Sequence, residues 1–400
     1  MFERTRLIAL VVASLLAAPS FAQHSTTQPP DRKPPPIARA DRPAANGLEV
    51  IREMKDTPGN IAVTPQGRVF VSMHPFGEPT VRVVEVLAEG GTRPYPSPLW
   101  AGAVTTSGIG IQSIIGIKSD KDGVLWMLDA GAPNAPNPLS PKLIAWDTKT
   151  DRLVRVIHLP PPTSGPTSFF QDLAIDPTHD AIYIADCGIG AGFEHAKPSI
   201  VVVYQKTGVS RRVLLDAPFL RGEPDASMVI DGVEVRVAGA DGKPLAPRVG
   251  VNPITIDDAN EWVYFGSMHG TTVWRVRAAD LANPGLGDTE LQERIEKFGT
   301  KSVSDGMSID SAGNLYVTDV TKHAIGVVKP DGTYSTFIED PLLDWPDGMS
   351  AGPDGHFYVV VNQLNRHSVL NVGDAGPVDA TKPPYRILRF KPLAPATVGR

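Results

Sequence analysis

A single cysteine, Cys187, stands among 400 residues. That scarcity excludes a disulfide framework and any cysteine-based zinc site. Basic residues are not in excess either: 38 Lys and Arg face 44 Asp and Glu, for a formal charge of −6, so there is no electrostatic footprint for nucleic acid. Beyond the first segment no stretch approaches the ~18 uninterrupted apolar residues of a membrane span. What the chain does have is Gly (37) and Pro (39) in quantity, a composition that favours many short strands and turns over long helices. At 42% hydrophobic it can bury a core, which excludes general disorder.

Residues 1–22 combine a basic start (Arg4, Arg6), an apolar run from Leu7 to Ala18 and a small-residue pattern at Ser20-Phe21-Ala22. This reads as a secretory signal peptide cleaved after Ala22, too short for a comfortable span. The expected product is secreted or periplasmic, without a membrane span after cleavage. Residues 23–46, rich in Pro and polar groups, read as an extended leader. Folded sequence is expected over 47–400.

One pattern then recurs six times: a polar residue, a short apolar strand, a Gly or Asp turn, and a strand with an aromatic. The copies are 59–73, 113–129, 171–186, 252–267, 305–319 and 347–361, and the aromatic falls at Phe70, Trp126, Tyr183, Tyr264, Tyr316 and Tyr358. Apolar alternation around DG, AGN and PDG turns makes each copy a β-hairpin. Six hairpins with third-strand candidates behind them predict an all-β fold, a six-bladed β-propeller with short helical and hairpin insertions. At roughly 60 residues per copy the blades exceed the ~40–45 of a WD40 blade, so insertions are required. Two stand out: a hairpin within 216–250 with its turn at Asp241-Gly242, and a helix over 288–298 with Leu291, Ile295 and Phe298 on one face and a capping box at Thr289 and Gln292.

The stretches DLAID and IYIAD (172–186), VNPITID with EWVYFGSMHG (251–270), VSDGMSID (303–310), WPDG (345–348), VNQL (361–364) and PYRILRF (384–390) resemble the yellow / major royal jelly protein family, in particular its bacterial dopachrome-tautomerase-related branch. The resemblance implies a six-bladed propeller with a pocket at one end of the central channel. It also implies small-molecule chemistry: some members bind aromatic amines, some are associated with pigment chemistry, others are nutrient or structural proteins. A more distant resemblance is to gluconolactonase / senescence-marker-like lactonases, which hold a divalent cation on the axis through Glu, Asn and Asp. Asn60 stands where that pattern has its opening Glu.

Aligned copies place one polar position at the start of each innermost strand: Asn60 or Gly59, Ser113, Gln171-Asp172, Asn252, Asp305 and Asp347. Such strand ends converge on a propeller axis. Asp172, Asn252 and Asp305 suit a hard cation such as Ca²⁺ or another divalent ion. Held together, the carboxylates would also raise one another's pKa and give a general acid or base. The competing reading makes Asp305 and Asp347, each followed by Gly-Met-Ser, turn residues bonding their own backbone. Asp129, Asp186 and Asp319 recur after the aromatic strand and read as structural caps. Ser-Met-His occurs twice, ending at His74 and His269 in copies that face each other across a six-blade ring, so the two imidazoles are candidates for acid–base work or metal ligation. In VNQL, Asn362 and Leu364 match the family's Asn-x-hydrophobic motif. By that resemblance Asn362, Leu364 and Asp347 line the ligand pocket, with Leu364 in place of an aromatic; a buried Asn362 satisfying backbone groups is the alternative.

Two apparent motifs carry no such chemistry. Gly348-Met349-Ser350-Ala351-Gly352 spells a nucleophile elbow, but its serine lies in a repeating strand rather than a strand-turn-helix. Gly188–Gly192 looks like a phosphate loop without the helix it needs. Cys187 beside it reads as a buried thiol.

Three functions follow as expectations. The first is a monomeric propeller that binds, and as an isomerase interconverts, a small aromatic or quinonoid molecule, with Asp305, Asp347, His74 and His269 as candidate catalytic groups. The second is a divalent-metal-dependent lactonase. The third is a non-catalytic envelope protein that uses its rim loops.

Overall fold

A strand buried on both faces must be largely apolar, and the aromatic strand of each repeat is, with polar residues only near its end. In Ala181–Asp186 the side chains of Ala181, Tyr183 and Ala185 enter one core and those of Ile182 and Ile184 another. Val124–Asp129 divides likewise, with Leu125 and Met127 on one side and Trp126 and Leu128 on the other. The period of two thus commits each sheet to two separate neighbours. Repeated six times, it builds a ring.

The computed structural model describes residues 47–132 and 138–400; the expected signal peptide and leader lie outside them. It is a six-bladed β-propeller of four-stranded antiparallel sheets. Blade 1 runs through Pro58–Val63, Val69–Met73, Val83–Val86 and Thr92–Pro94. Blade 2 comprises Ile114–Ser119, Val124–Asp129, Lys142–Asp147 and Arg152–His158. Blade 3 comprises Phe170–Asp176, Ala181–Asp186, Ser199–Tyr204 and Ser210–Val213. Blade 4 comprises Val251–Ile256, Trp262–Ser267, Thr272–Arg277 and Glu296–Thr300. Blade 5 comprises Ser304–Ile309, Leu315–Asp319, Ala324–Val328 and Tyr334–Glu339. Blade 6 takes Pro346–Ala351, Phe357–Val361 and Tyr385–Phe390 from the end of the chain and its outer strand, Leu48–Met54, from the beginning. Leu48 stands opposite Phe390 and Met54 opposite Tyr385, so the ring is closed by strand pairing rather than by a covalent bond. Six apolar seams separate neighbouring blades, and a seventh apolar cluster caps one end.

The recurring aromatic has a polar reason as well as an apolar one. Trp126 Nε1 donates to Asp120, and the hydroxyls of Tyr183, Tyr316 and Tyr358 donate to Asp176, Asp310 and Asp354, at 3.2, 2.7, 3.0 and 3.0 Å. Each bond ties the aromatic strand to the turn that precedes it. Asp129, Asp186 and Asp319 are caps, as their recurrence suggests. Asp186, for example, accepts from the backbone N–H of Phe169 and Gly188 and pairs with Arg212 at 2.8 Å.

The insertion hairpin forms with Val237–Ala238 against Pro244–Leu245 and Gly242 in the left-handed region at φ 78°. The expected helix over 288–298 is corrected. It spans only Asp288–Gln292, and Gly287, not Thr289, heads it, with its N–H donating to Glu290 at 2.7 Å. Phe298 lies instead in Glu296–Thr300, the outer strand of blade 4. An unpaired strand edge is a stronger constraint than a one-sided helical periodicity, and pairing with Thr272–Arg277 wins.

Candidate functional site

All six innermost strands carry a register shift near their beginning, between Pro58 and Ile61, Ile114 and Ile117, Phe170 and Asp172, Val251 and Ile254, Ser304 and Met307, and Pro346 and Met349. A β-bulge re-aims the side chains beside it. Apart from Ser113, which precedes its strand, the polar residues of the aligned copies sit at these bulges, and Asn60, Asp172, Asn252, Asp305 and Asp347 are all buried. Asp305 and Asp347 are therefore not turn residues. The glycine after each is dictated by closeness: a Cβ on Gly306 would overlap the Asp347 carbonyl oxygen, and one on Gly348 would overlap Asn60 Oδ1.

The channel polar groups form three amide–carboxylate pairs. Asn60 Nδ2 reaches from blade 1 to Asp172 of blade 3 at 3.3 Å, Asn252 Nδ2 donates to Asp305 Oδ1 at 2.5 Å, and Asn362 Nδ2 donates to Asp347 Oδ2 at 2.6 Å. Burial raises all three carboxyls, and repulsion adds to it, from Asp172 on Asp305 and from Asp305 and Asp172 on Asp347. Asp305 is raised to about 6, held back from rising further by its bonds from Trp345 and Asn252, and Asp347 is well above the ordinary carboxylate range. Lys118, also fully buried, is lowered by burial, while Asp172 works against that loss.

At this end of the channel lies a narrow cleft of about 30 Å³, lined by apolar residues such as Phe76, Phe169, Met268 and Leu364 together with His74, His269, Gln171 and Asp305. The connections between blades roof it: Met228, Val235, Val249, Leu364 and Leu370 pack with Trp345 and Cys187 into the seventh apolar cluster. Trp345 is the hinge between the apolar and ionisable halves. It is completely buried, its Nε1 donates to Asp305 Oδ2 at 2.7 Å, and its backbone sits at φ 62°. A bulky residue in the left-handed region costs about 1–3 kcal/mol and persists only where the surroundings over-determine it.

Both candidate imidazoles line this cleft. Burial lowers each to about 3, so both are neutral. Their tautomer is fixed by local geometry: the N–H of Phe76 donates to His74 Nδ1 and the N–H of Val249 to His269 Nδ1, both at 3.2 Å. The ring proton is therefore on Nε2. An Nε2–H can neither ligate a metal nor take up a proton without ejecting the backbone donor, so these histidines are hydrogen-bond donors.

Asp305 and Leu364 thus reach the cleft. Asp172, Asn252, Asp347 and Asn362 are buried in the channel outside its lining. Asn362 donates to Pro58 O at 3.3 Å as well as to Asp347, while its Oδ1 is buried without a partner. For the expected cation, among the described residues no three His, Cys, Asp or Glu side chains are grouped as a metal site needs. Asn252 also meets Asp305 through its NH₂ rather than its oxygen. The donor set fits a hydrogen-bonded carboxylate and does not fit a cation cage. Burial pushes the Cys187 thiol up, which leaves it inert.

The sequence reading did not single out Trp345 or Lys118 as neighbours of the channel carboxylates. The WPDG stretch marked the tryptophan only as a family signature. Lys118 lies in a strand whose other positions are apolar or small, and a lone cation in such a strand was the available signal.

The sequence profile described as major royal jelly protein matches residues 112–370. Major royal jelly protein 6 of Apis mellifera is 34% identical over 257 residues, 61% of this chain and 53% of that protein. Major royal jelly protein 3 of Apis mellifera is 25% identical over 304 residues, 70% of this chain and 52% of that protein. The chain spans about half the length of these relatives. Among solved structures, a gluconolactonase from Xanthomonas campestris superposes with a TM-score of 0.52 at 13% identity, over 90% of this chain and 96% of the other. Regucalcin from Agrobacterium tumefaciens, a calcium-binding protein, gives 0.51 at 16%, over 87% and 95%; at such identities the likeness is one of fold. The profile match runs across most of the blades and leads to one conclusion: the chain belongs to the major royal jelly protein family.

Proposed function

We propose that the protein binds a small aromatic or quinonoid molecule in the roofed cleft and interconverts its tautomers, with Asp305 as the proton carrier. The observation that carries this reading is a carboxyl group set in an otherwise largely apolar lining and titrating near neutrality, at about 6. A general base works best when its pKa lies close to the working pH. In the step, the Asp305 carboxylate takes a proton from a C–H bond next to a carbonyl. The electron pair of that bond moves into the ring system towards the carbonyl oxygen, and Asp305 returns the proton at another position. Nothing is oxidised or reduced. Trp345 and Asn252 hold both carboxylate oxygens in place, and the apolar roof excludes water from the exchanging proton.

The test is turnover of an aminochrome, followed by loss of its visible absorbance, with wild type and Asp305→Asn. Turnover by the wild type and a loss of 10²-fold or more in kcat with the variant is expected. A variant as active as the wild type would remove Asp305 from the chemistry.

A further inference from the structure

Resting on the cleft as the binding site, we infer that His269 and Gln171 form a donor–acceptor pair that selects ligands carrying both a carbonyl oxygen and a nearby N–H or O–H.

Two orphaned atoms point to this. His269 is 2% exposed and lines the cleft, and its Nε2 is buried without a partner. Because Val249 N–H occupies Nδ1 at 3.2 Å, that orphan is a donor. Gln171 lines the same cleft from the start of the inner strand of blade 3, and its Oε1 is a buried acceptor without a partner. A buried polar atom left unpaired costs about 1–3 kcal/mol, and a ligand that offers an acceptor to His269 and a donor to Gln171 would recover that cost. The lining around them offers ring-sized apolar contact through Phe76, Phe169 and Met268. An apolar ligand would leave both orphans unpaired, and one with a single polar group would leave one of them. Sites built this way reject analogues that lack the matching group far more strongly than hydrophobic pockets reject a missing methylene. A neutral imidazole N–H facing a carbonyl also favours the enolate-like state that proton removal by Asp305 would create. In this arrangement His269 positions and polarises the ligand, and Asp305 moves the proton.

The experiment uses a matched set of probes with the full-length protein, read by isothermal titration calorimetry. Isatin has a ring N–H and carbonyls, N-methylisatin lacks the donor, and indole lacks the acceptor. Wild type is expected to bind isatin at least ten-fold tighter than either of the others. His269→Phe should abolish the preference of isatin over indole and leave indole affinity within two-fold. His269→Gln, which restores an amide donor, should recover part of the preference. Gln171→Leu should abolish the preference of isatin over N-methylisatin alone. Thermal melting of each variant checks that it is folded. Equal affinities for the three probes in the wild type, or a preference unchanged in His269→Phe, would overturn the pair while leaving the cleft as a binding site. Failure of all three to bind would overturn the cleft reading as well.

Discussion

The indole N–H of Trp345 donates to Oδ2 of Asp305 at 2.7 Å, joining the segment that enters blade 6 to the inner strand of blade 5. The bond links a large fluorophore to an ionisable group, so ionisation of Asp305 changes the field at the indole. Tryptophan emission is expected to show a titration step with a midpoint near pH 6. Asp305→Asn should remove the step, and its persistence in that variant would assign it to another group.

The same carboxyl sets a pH dependence of stability. Asp305 is at about 6 in the native protein against an ordinary 3.8, so between those values the folded state binds more protons than the unfolded chain. Its contribution is complete below pH 3.8 and is lost as the pH rises through 6. His74 and His269, lowered to about 3 from 6.5, act in the opposite sense, and stability from them grows with pH over that range. Comparison with Asp305→Asn separates the two. From pH 4 to 7 in urea titrations, wild type should lose stability relative to the variant by up to about 3 kcal/mol. A difference that stays flat with pH would contradict the raised carboxyl.

Close approach of the inner strands predicts an asymmetry between glycines. Gly348→Ala would press a methyl group onto Asn60 Oδ1, whereas a Cβ at Gly373 meets nothing nearer than 3.9 Å. The first substitution should cost about 1–3 kcal/mol as overpacking does, and the second less than about 0.5 kcal/mol. Denaturation midpoints of the two variants decide this, and equal midpoints would show that the inner ring yields easily.

Removal of divalent ions tests the donor set in the channel. Treatment of the purified protein with a chelator should leave its melting temperature unchanged, since Asn252 and Asp305 bond to each other. A fall in melting temperature that calcium restores would return Asp172, Asn252 and Asp305 to the role of cation ligands.

Deleting residues 47–54 should abolish cooperative unfolding. The strand buries Leu48, Ile51 and Met54, and three such side chains at about 1.5–3 kcal/mol each approach the whole stability of an ordinary domain. Near-UV circular dichroism and a melting curve would show it, and a truncated chain that melts like the full one would disprove it.

The blades were legible because their signal is periodic. Alternation along Ala181–Asp186 or Val124–Asp129 states both that the strand is buried on two sides and where it turns. LEVIREM (48–54) lies apart from every hairpin copy, and it supplies the strand that completes blade 6. The polar residues at the bulges could be counted in register from the repeats. Their division into cleft and channel could not, because it depends on which way each bulge turns the chain. The helix expected over 288–298 failed where a local period competed with a sheet edge. The roof of the cleft was illegible for a different reason: Met228, Val235 and Leu370 come from insertions that follow no repeat, so nothing in the pattern placed them over Asp305 and Trp345.

The pairing of Leu48–Met54 with Tyr385–Phe390 also sets an order of events. The strand that opens the described fold, Leu48–Met54, has its partner beyond all the other blades, at Tyr385–Phe390, so a chain that has not yet reached Phe390 cannot close the ring. Five blades can assemble by local hairpin pairing as the chain grows, while the edge of the sixth waits for a contact spanning nearly the whole sequence. Contacts of such separation are slow to form. Until then an unpaired strand edge is exposed to other chains.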